Sequence, residues 1–326
     1  MNIGQIIILL ALFTSLGSAF FYFLPKKKSE WLAKNSNRLF NVSVLLGIAA
    51  SVMMLYFLFT NQFQYSYVSK YSAFHQPLIY NISALWAGQE GTFLLWAVMM
   101  GVMSLVLKKT LRGEDRFALG VVSTFSAFLY LLMVVKSPFE TVTPVPQDGQ
   151  GMNPLLMNPW MAIHPPILFI GYAAAIFPFA LALSALARRN YEFWNEHGFA
   201  WTLFATVMLG AGIIIGGFWA YEVLGWGGYW GWDPVENSSL VPWITLLALV
   251  HGLLLFKAKG AMQRTNLFLA IIIFLLVLYA TFLTRSGVLA DFSVHSFVDL
   301  GINNYLVGIM VLSCAAGFGL FATRFR

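Results

Sequence analysis

Charged residues and cysteine are both scarce in this chain of 326 residues. Charged side chains make up 10% of the sequence and hydrophobic ones 59%, whereas soluble domains carry about a quarter charged residues. The composition excludes an ordinary soluble domain and indicates an integral membrane protein. The single cysteine, Cys314, lies in an apolar run. An intrachain disulfide, a thiol-pair redox centre and a cysteine-rich metal site are therefore excluded.

Apolar runs of membrane-spanning length recur along the whole chain. A bilayer core requires about 20 apolar residues per helix. Runs of that order lie at 3–24, 39–60, 80–107, 117–136, 166–187, 199–219, 237–256, 267–284 and 304–322. The first is too long for a signal-peptide core and lacks a basic leader, so we expect it to be retained as a span. The sequence predicts an all-α, polytopic bundle of nine transmembrane helices that forms one domain over residues 1–326.

The basic residues are distributed asymmetrically between alternate loops. The net charge of +6 does not indicate nucleic-acid binding, because the charges lie in short clusters between the apolar runs. Sixteen of the nineteen Lys and Arg residues fall on one side, and the other side keeps only Lys70, Lys136 and Arg285. By the positive-inside rule, the N-terminus is predicted to face outward and the C-terminus the cytoplasm.

Three segments on the predicted outer side carry the unusual sequence. The longest, 137–165, contains six prolines and is expected to be an extended loop. The second, 220–236, is rich in tryptophan and glycine. The third, 285–303, follows the eighth predicted span and contains a histidine. These loops are the candidate functional region of the chain.

Two of the five histidines belong to these outer loops. His164 stands directly before Pro165 and Pro166, which restrain the backbone and hold the imidazole at a defined point. The predicted topology puts His295 on the same side. Two imidazoles that face one space can ligate a haem iron axially. A zinc site of two histidines and a carboxylate, or a helix start that simply carries a histidine, are the alternatives.

A third histidine, His251, lies within the apolar run 237–256, about 8 Å along the helix axis from its cytoplasmic end. An ionisable group inside a span is a candidate functional residue. His251 is therefore predicted to be a metal ligand, with a hydrogen-bonded structural histidine as the alternative. No other histidine lies in a predicted span, so a second imidazole would have to come from outside the chain. His75 and His197 are predicted to be ordinary solvated residues.

The tryptophan segment, defined as residues 225–232, interleaves four aromatic side chains with four glycines. An aromatic belt at the membrane interface is one explanation. The other is a surface for a planar, hydrophobic macrocycle, because glycines permit close backbone approach and indoles supply a rigid apolar face. The next residues, from Asp233 to Glu236, have the pattern of a capping box with proline at the first helical position, which predicts the start of the seventh span.

Four separated motifs resemble one known family. WGGYWGWDPVENSSLVPW at 226–243, HPPILFIGY at 164–172, GQEG at 88–91 and TRSGVL with SVHSF at 284–297 are similar to motifs of the WWD haem-handling family of cytochrome c biogenesis. Among its branches, the chain resembles the CcmF/NrfE-type haem lyases, over their N-terminal part only. One departure is Gln89, where many relatives carry a histidine, and Gln89 is expected to have no ligand role.

The resemblance implies a set of site residues. The outer histidines, His164 and His295, would ligate the substrate haem, and His251 would ligate a separate resident haem b. The outer loops 137–165, 220–236 and 285–303 would form the haem site. No residue of the chain is expected to be catalytic, because the cysteine nucleophiles belong to the substrate. The remaining candidate haem-binding residues are Trp226, Tyr229, Trp230, Trp232, Asp233 and Arg285.

The resemblance also implies an activity, partners and a location. The chain would be a component of a cytochrome c haem lyase of system I maturation, acting at the outer face of the bacterial inner membrane. Its partners would be a CcmE-type haem chaperone, an apocytochrome c with a Cys-x-x-Cys-His motif, and a CcmH-type subunit that reduces and presents it. A C-terminal partner chain, as in a split CcmF, or a missing C-terminal region would supply the second haem b ligand.

Two other functions fit the same sequence features. The first is a haem transporter or loader of the WWD family that has no ligase activity. The second is an assembly subunit whose tryptophans form an ordinary aromatic belt. The HPP element at 164–166 and the length of the matched region favour the lyase over the transporter.

Overall fold

Helices form nearly all of the regular secondary structure in the computed structural model, which describes residues 1–24, 30–112, 114–225 and 227–324. An isolated β-bridge joins Tyr65 and Thr141, and the described residues contain no β-strand. The predicted all-α class is therefore confirmed. The α-helices of this part are α1 (Ile3–Phe23), α2 (Glu30–Phe59), α3 (Ser66–Tyr71), α4 (Leu78–Ser83), α5 (Gln89–Thr110), α6 (Arg116–Val135), α7 (Pro159–Ala174), α8 (Ile176–Arg188), α9 (Glu192–Val223), α10 (Pro234–Lys259), α11 (Gln263–Arg285) and α12 (Asn303–Arg324).

Nine helical units within the described residues are long and apolar enough to cross a membrane, which confirms the predicted number of spans. Three of their starts differ from the prediction by seven residues or more. The third unit begins at Gln89 rather than 80, because two short helices precede it. The fifth unit begins at Pro159 rather than 166, because Asn158 caps it and Pro159 occupies the first turn. The sixth begins at Glu192 rather than 199. His164 and His197 therefore lie in helices, not in the loops where the sequence placed them.

The fifth unit consists of two helices, α7 and α8, separated at Ala175. Proline lacks an N–H group and cannot donate to the carbonyl four residues before it. Pro178 accordingly leaves the carbonyl of Ala174 without its helical donor, which accounts for the break. The two helices together still form one span, Pro159–Arg188.

Two short helices, α3 and α4, occupy the connection between α2 and α5, where the sequence predicted only a loop and the start of a span. The Tyr67 hydroxyl donates to the carbonyl of Ala84 (2.9 Å) and accepts from the N–H of Gly88 (3.1 Å). A Cβ atom on Gly91 would lie 1.9 Å from the carbonyl oxygen of Leu85. The GQEG motif thus packs the start of α5 tightly against the preceding turn.

The most deeply buried span is the one formed by α7 and α8. In its apolar window 83% of the residues are buried, against 17% in α12. Helix α7 packs along α9, and α8 packs against α6, α9 and α11. Helices α5, α7 and α10 begin, and α9 and α11 end, at one end of the bundle, which we call the site end. The burial is concentrated in α8 and the second half of α7, whereas the first residues of α7 remain partly exposed at the site end.

Candidate haem site

A cavity of about 280 Å³ opens at the site end. Five helices contribute to its walls, together with the segments around 224–230 and 294–297. Both His164 and His295 line it, and so do Tyr229, Trp230 and Arg285. The structure therefore brings five of the residues singled out from the sequence into one space. Most of the remaining wall is apolar, including Met161, Leu168, Phe169 and Ile213.

His164 is fixed by the packing of α7 against α9. It is the sixth residue of α7, and its Nδ1 atom lies 2.7 Å from the carbonyl oxygen of Gly212. A carbonyl can only accept, so Nδ1 carries the proton and Nε2 retains its lone pair. A Cβ atom on Gly216 would lie 2.6 Å from the imidazole Cε1. Only glycine at 216 leaves room for the ring in this position.

The start of α7 is also tied to the end of α9 through Glu222. The carboxylate accepts hydrogen bonds from Asn158 Nδ2 (3.0 Å) and from Trp160 Nε1 (2.8 Å). The Trp160 ring stacks on Phe218, with centroids 5.0 Å apart. These contacts join the turn that precedes His164 to the neighbouring helix.

His295 lies in an irregular segment and is held by side chains. Its Nδ1 atom is 3.7 Å from Oδ1 of Asp233, and its backbone N–H donates to Ser293 Oγ (3.1 Å). The Trp219 ring meets the imidazole edge to face, with centroids 5.4 Å apart. Trp219 is itself anchored, because its Nε1 donates to the carbonyl of Leu155 (2.9 Å). Three separate parts of the chain thus meet at His295.

Asp233 begins α10 as the sequence predicted. Its side chain accepts from the N–H groups of Val235 and Glu236, and the Glu236 carboxylate accepts from the N–H groups of Gly231 (3.0 Å) and Asp233 (3.2 Å). The predicted capping box is therefore confirmed. Burial raises the pKa of the Asp233 carboxyl, but interactions with His295, Ser293 and Val235 outweigh it, so the pKa lies below its usual value. Asp233 does not line the cavity with the two histidines; it borders a second, shallower hollow.

The aromatic residues of the tryptophan segment are divided between the cavity and the surface. Tyr229 and Trp230 line the cavity, and Tyr229 stacks on Tyr221 with centroids 4.6 Å apart. Trp232 is 72% exposed and lines the second hollow instead. Trp226 lies outside the described residues. The described aromatic residues of the segment thus do not form one continuous face, since Trp230 and Trp232 meet edge to face.

Arg285 is a buried cation in the cavity wall. It is 3% exposed, and its Nη2 atom donates to Thr92 Oγ1 (2.8 Å). Its guanidinium carbon lies 4.9 Å from the ring centroid of Phe93, 5.6 Å from that of Phe169 and 5.9 Å from that of Phe297. No carboxylate among the described residues forms an ion pair with it, and its Nε has no acceptor there.

His251 lies apart from this cavity. It is exposed on the outer surface of α10, and its Nδ1 atom is 2.8 Å from the carbonyl oxygen of Leu247. That contact assigns the proton to Nδ1 and leaves Nε2 with its lone pair. No group of three His, Cys, Asp or Glu residues in the described part is arranged to hold a metal ion.

The other polar residues considered from the sequence lie elsewhere. His75 is exposed in a turn, and His197 contacts Glu196 and the carbonyl of Thr110 on α5. Gln89 is buried and donates to the carbonyl of Val298 (2.5 Å). Gln89 therefore ties the start of α5 to the segment that carries His295.

Sequence reasoning missed several residues that shape the cavity. Trp219, Gly216 and Trp86 all line it, and Ser293 supports His295 from behind. The spacing of Gly212 and Gly216 by four residues, which puts both on one face of α9, was an available signal. Nothing in the local sequence distinguished Trp86 or Trp219 from the other tryptophans.

Comparison with known proteins identifies the family. The family model described as Cytochrome C assembly protein matches residues 86–289. The cytochrome c-type biogenesis protein CcmF of Pseudomonas aeruginosa is 37% identical over 274 residues, which cover 81% of this chain and 41% of that protein. CcmF of Haemophilus influenzae is 34% identical over 332 residues, covering 99% and 51%. NrfE of the same organism is 32% identical over 300 residues, covering 88% and 45%.

A solved structure agrees with these relatives. A cytochrome c haem lyase, CcmF, superposes with a TM-score of 0.82 at 28% identity, covering 98% of this chain and 50% of that one. The chain spans about half the length of the curated relatives it matches. The resemblance drawn from the four motifs is confirmed. On its matched region, its close relatives and its fold, this chain belongs to the cytochrome c assembly protein family.

Proposed function

We propose that this chain is the haem-positioning part of a cytochrome c haem lyase. It would hold haem at the outer membrane face while thioether bonds form to an apocytochrome with a Cys-x-x-Cys-His motif. The observation that carries the proposal is the cavity that both His164 and His295 line. His164 Nδ1 is within hydrogen-bond distance of a carbonyl oxygen, at 2.7 Å, and His295 Nδ1 lies 3.7 Å from a carboxylate oxygen, which is ion-pair distance. We assign Nε2 of each imidazole to the metal, because the other ring nitrogen of a metal-bound histidine almost always meets a carboxylate, a carbonyl or water.

The chemistry of the cavity wall also suits haem. Three N–H donors in the wall have no acceptor among the described residues: Trp86 Nε1, Trp230 Nε1 and Arg285 Nε. Buried donors, and a buried cation above all, require an acceptor. Haem carries two propionate carboxylates and two apolar faces, which match these donors and the apolar wall. The volume of about 280 Å³ lies just below the range of about 300–1,000 Å³ for small-molecule sites, so part of the macrocycle would extend outside the cavity.

The attachment reaction requires positioning rather than a nucleophile from this chain. Each substrate cysteine would add its sulfur to one carbon of a haem vinyl group and its hydrogen to the other, so the addition balances without an oxidant or reductant. The contribution of His164, His295 and Arg285 would be to fix the macrocycle in one orientation. Holding both reactants in line can lower a barrier by about 7–11 kcal/mol at best.

His251 is proposed to ligate the resident haem b of the family. Its engaged Nδ1 and exposed position on α10 fit the role of one protein ligand to that haem. A bound haem b would supply electrons that keep the substrate iron reduced. The second ligand would come from beyond the described residues, through a C-terminal partner chain or further sequence. The exposed surface around His251 is consistent with a neighbour there.

The remaining assignments follow the family. We place the site end on the outer face of the bacterial inner membrane, with the N-terminus outside and the C-terminus in the cytoplasm, because the basic clusters lie at the other helix ends. The proposed partners are a CcmE-type haem chaperone, a CcmH-type subunit and the apocytochrome.

Maturation assays test the proposal. The chain would be expressed with its maturation partners and a reporter apocytochrome, and thioether-bound haem would be measured on denaturing gels. His164→Ala and His295→Ala should each abolish the product, whereas His75→Ala, which alters an exposed histidine outside the cavity, should leave it unchanged.

Two results would contradict the proposal. Full maturation by the His164→Ala, His295→Ala double variant would favour an assembly subunit with an aromatic belt. Haem loading that depends on both histidines, without any thioether product when all partners are present, would favour the transporter or loader.

A further inference from the structure

Asp233 lies beside His295 but outside the cavity, so it is not placed to contact haem. It is 8% exposed and does not line the cavity, whereas His295 does. The Asp233 Oδ1 atom lies 3.7 Å from His295 Nδ1, which is ion-pair distance but longer than a hydrogen bond. The contact would shorten by a few tenths of an ångström to become a hydrogen bond when His295 binds iron. Since Nδ1 and Nε2 lie on opposite sides of an imidazole ring, a carboxylate on the Nδ1 side favours Nε2 as the iron-binding atom.

A second contact connects the same carboxylate to the backbone of His295. The Ser293 hydroxyl donates to Asp233 Oδ1 (2.8 Å), and Ser293 Oγ accepts from the backbone N–H of His295 (3.1 Å). Asp233 therefore restrains both the main chain and the side chain of a histidine that no regular helix holds. It does so from the first turn of α10, where the capping box fixes its own position.

We propose that Asp233, with Ser293, is a positioning residue that orients the His295 imidazole for iron, in addition to capping α10. The inference rests on the proposed function, in which His295 is an iron ligand. A carboxylate that accepts the second N–H of a ligating histidine fixes its tautomer and raises its basicity as a ligand. Loss of such a partner typically lowers metal affinity about 10–100-fold.

Helix capping and ligand positioning can be separated by substitution, because they require different features of the side chain. Ser, Asn and Asp cap helices almost equally well. Asp233→Ser keeps a capping oxygen, but the serine side chain is too short to reach His295. Asp233→Asn keeps the length and the cap and removes only the charge. A residue that merely caps α10 would tolerate both substitutions.

The first measurement is the haem affinity of the full chain. All variants also carry His251→Ala, so that only haem at the outer site is observed. Transfer of haem to apomyoglobin gives the dissociation rate, and the visible spectrum reports low-spin or high-spin iron. Asp233→Ser should speed dissociation about 10–100-fold and add a high-spin component. Asp233→Asn should lie between Asp233→Ser and the parent. The unfolding midpoint of the haem-free chain should be unchanged in both.

The second measurement needs no haem. With ¹⁵N-labelled histidine, the ring nitrogens of the haem-free chain report the tautomer, and the His295 signals are identified by their absence in His295→Ala. We expect the Nδ1–H form in the parent chain and a mixture with the Nε2–H form in Asp233→Ser. His75→Ala, made in parallel, should leave the His295 signals unchanged.

The outcomes separate this inference from the proposed function. If His295→Ala loses haem while Asp233→Ser keeps the parent affinity, spectrum and tautomer, Asp233 is only a helix cap and the inference is wrong. If neither His164→Ala nor His295→Ala alters haem binding, the proposed function itself fails. If Asp233→Ser does not fold, Asp233→Asn decides the question with the same readouts.

Discussion

His164 belongs to a regular helix, whereas His295 lies in an irregular segment between two helices. The first is held by the surface of α9, with a backbone carbonyl as its hydrogen-bond acceptor. The second is held by a carboxylate, a serine hydroxyl and a tryptophan ring. Backbone geometry fixes one imidazole and side chains fix the other. The first should therefore be sensitive to steric changes in helix packing and the second to changes in polar side chains.

The largest expected effect is steric and concerns the packing of α9 around His164. In Gly216→Ala the new Cβ would lie 2.6 Å from the imidazole, so the ring must move or the helices must separate. Displacement of a reacting group by about 1 Å can lower a reaction rate about 100-fold, and overpacking costs about 1–3 kcal/mol of stability. We expect the rate of thioether formation to fall about 100-fold, and haem affinity, measured by haem transfer, to fall as well. Gly308→Ala on α12, with no atom within 4 Å of the added Cβ, is the control. Equal affinity in both variants would show that α9 does not fix His164.

The next effect concerns Arg285. It contacts Phe169 on α7, the helix that carries His164, and Phe297, which lies two residues from His295. Hydrogen bonds to charged groups contribute about 1.5–3 kcal/mol, so Arg285→Met should weaken haem binding about 10–150-fold. Haem-free stability should stay equal or rise, because a buried cation without a carboxylate partner is removed.

Esterified haem provides the control for Arg285. The parent chain should prefer haem over its dimethyl ester, whose propionates carry no charge, and Arg285→Met should not discriminate between them. If both chains discriminate equally, Arg285 does not meet a propionate.

A smaller effect is expected from Ser293→Ala, which alters the support of His295. The substitution removes the hydroxyl that links the His295 backbone to Asp233. A typical net hydrogen bond contributes about 0.5–1.5 kcal/mol, which corresponds to about a 2–12-fold faster haem dissociation. Thr245→Ala, which removes an exposed hydroxyl bonded to its own helix, should have no effect. A larger loss in Thr245→Ala than in Ser293→Ala would overturn the assignment.

The smallest effect is expected from Glu222→Gln, which weakens the polar contacts between the start of α7 and the end of α9. Glu222 is exposed, and surface substitutions away from buried networks usually change stability little. We expect haem affinity to change less than about twofold, because packing rather than this carboxylate positions His164. A loss as large as that of Gly216→Ala would mean that the polar contacts hold α7 in place.

The nine spans and the capping box at Asp233 could be predicted, because hydropathy and helix-start chemistry are local properties of the sequence. The start of α7 was predicted wrongly since Pro165 and Pro166 were taken to end a loop. Each removes one helical hydrogen bond, yet the helix continues through them because its packing against α9 compensates. Asn158 followed by Pro159 is a helix-start pattern that the sequence did contain, and in the structure the helix begins there despite the later prolines.

The cavity itself could be predicted only in part. The predicted topology placed His164 and His295 on the same side of the membrane, but only the folded chain brings Trp219 and Gly216 against them. The tryptophan segment illustrates the limit, because composition could not separate the cavity-lining Trp230 from the exposed Trp232. Tertiary packing decides which of two neighbouring aromatic residues is enclosed.

Helix α10 joins the two histidine sites as a single continuous rod. His251 follows Ser239, the last residue of α10 that lines the cavity, by 12 residues, which corresponds to about 18 Å along the axis at 1.5 Å per residue. That distance is more than half of the hydrocarbon thickness of about 30 Å. In the proposed function, an electron that passes from the level of His251 to the cavity would therefore cross more than half of the electric field of the membrane. Its transfer would be electrogenic, with a free energy that depends on the membrane potential by up to about 2.3 kcal/mol per 100 mV.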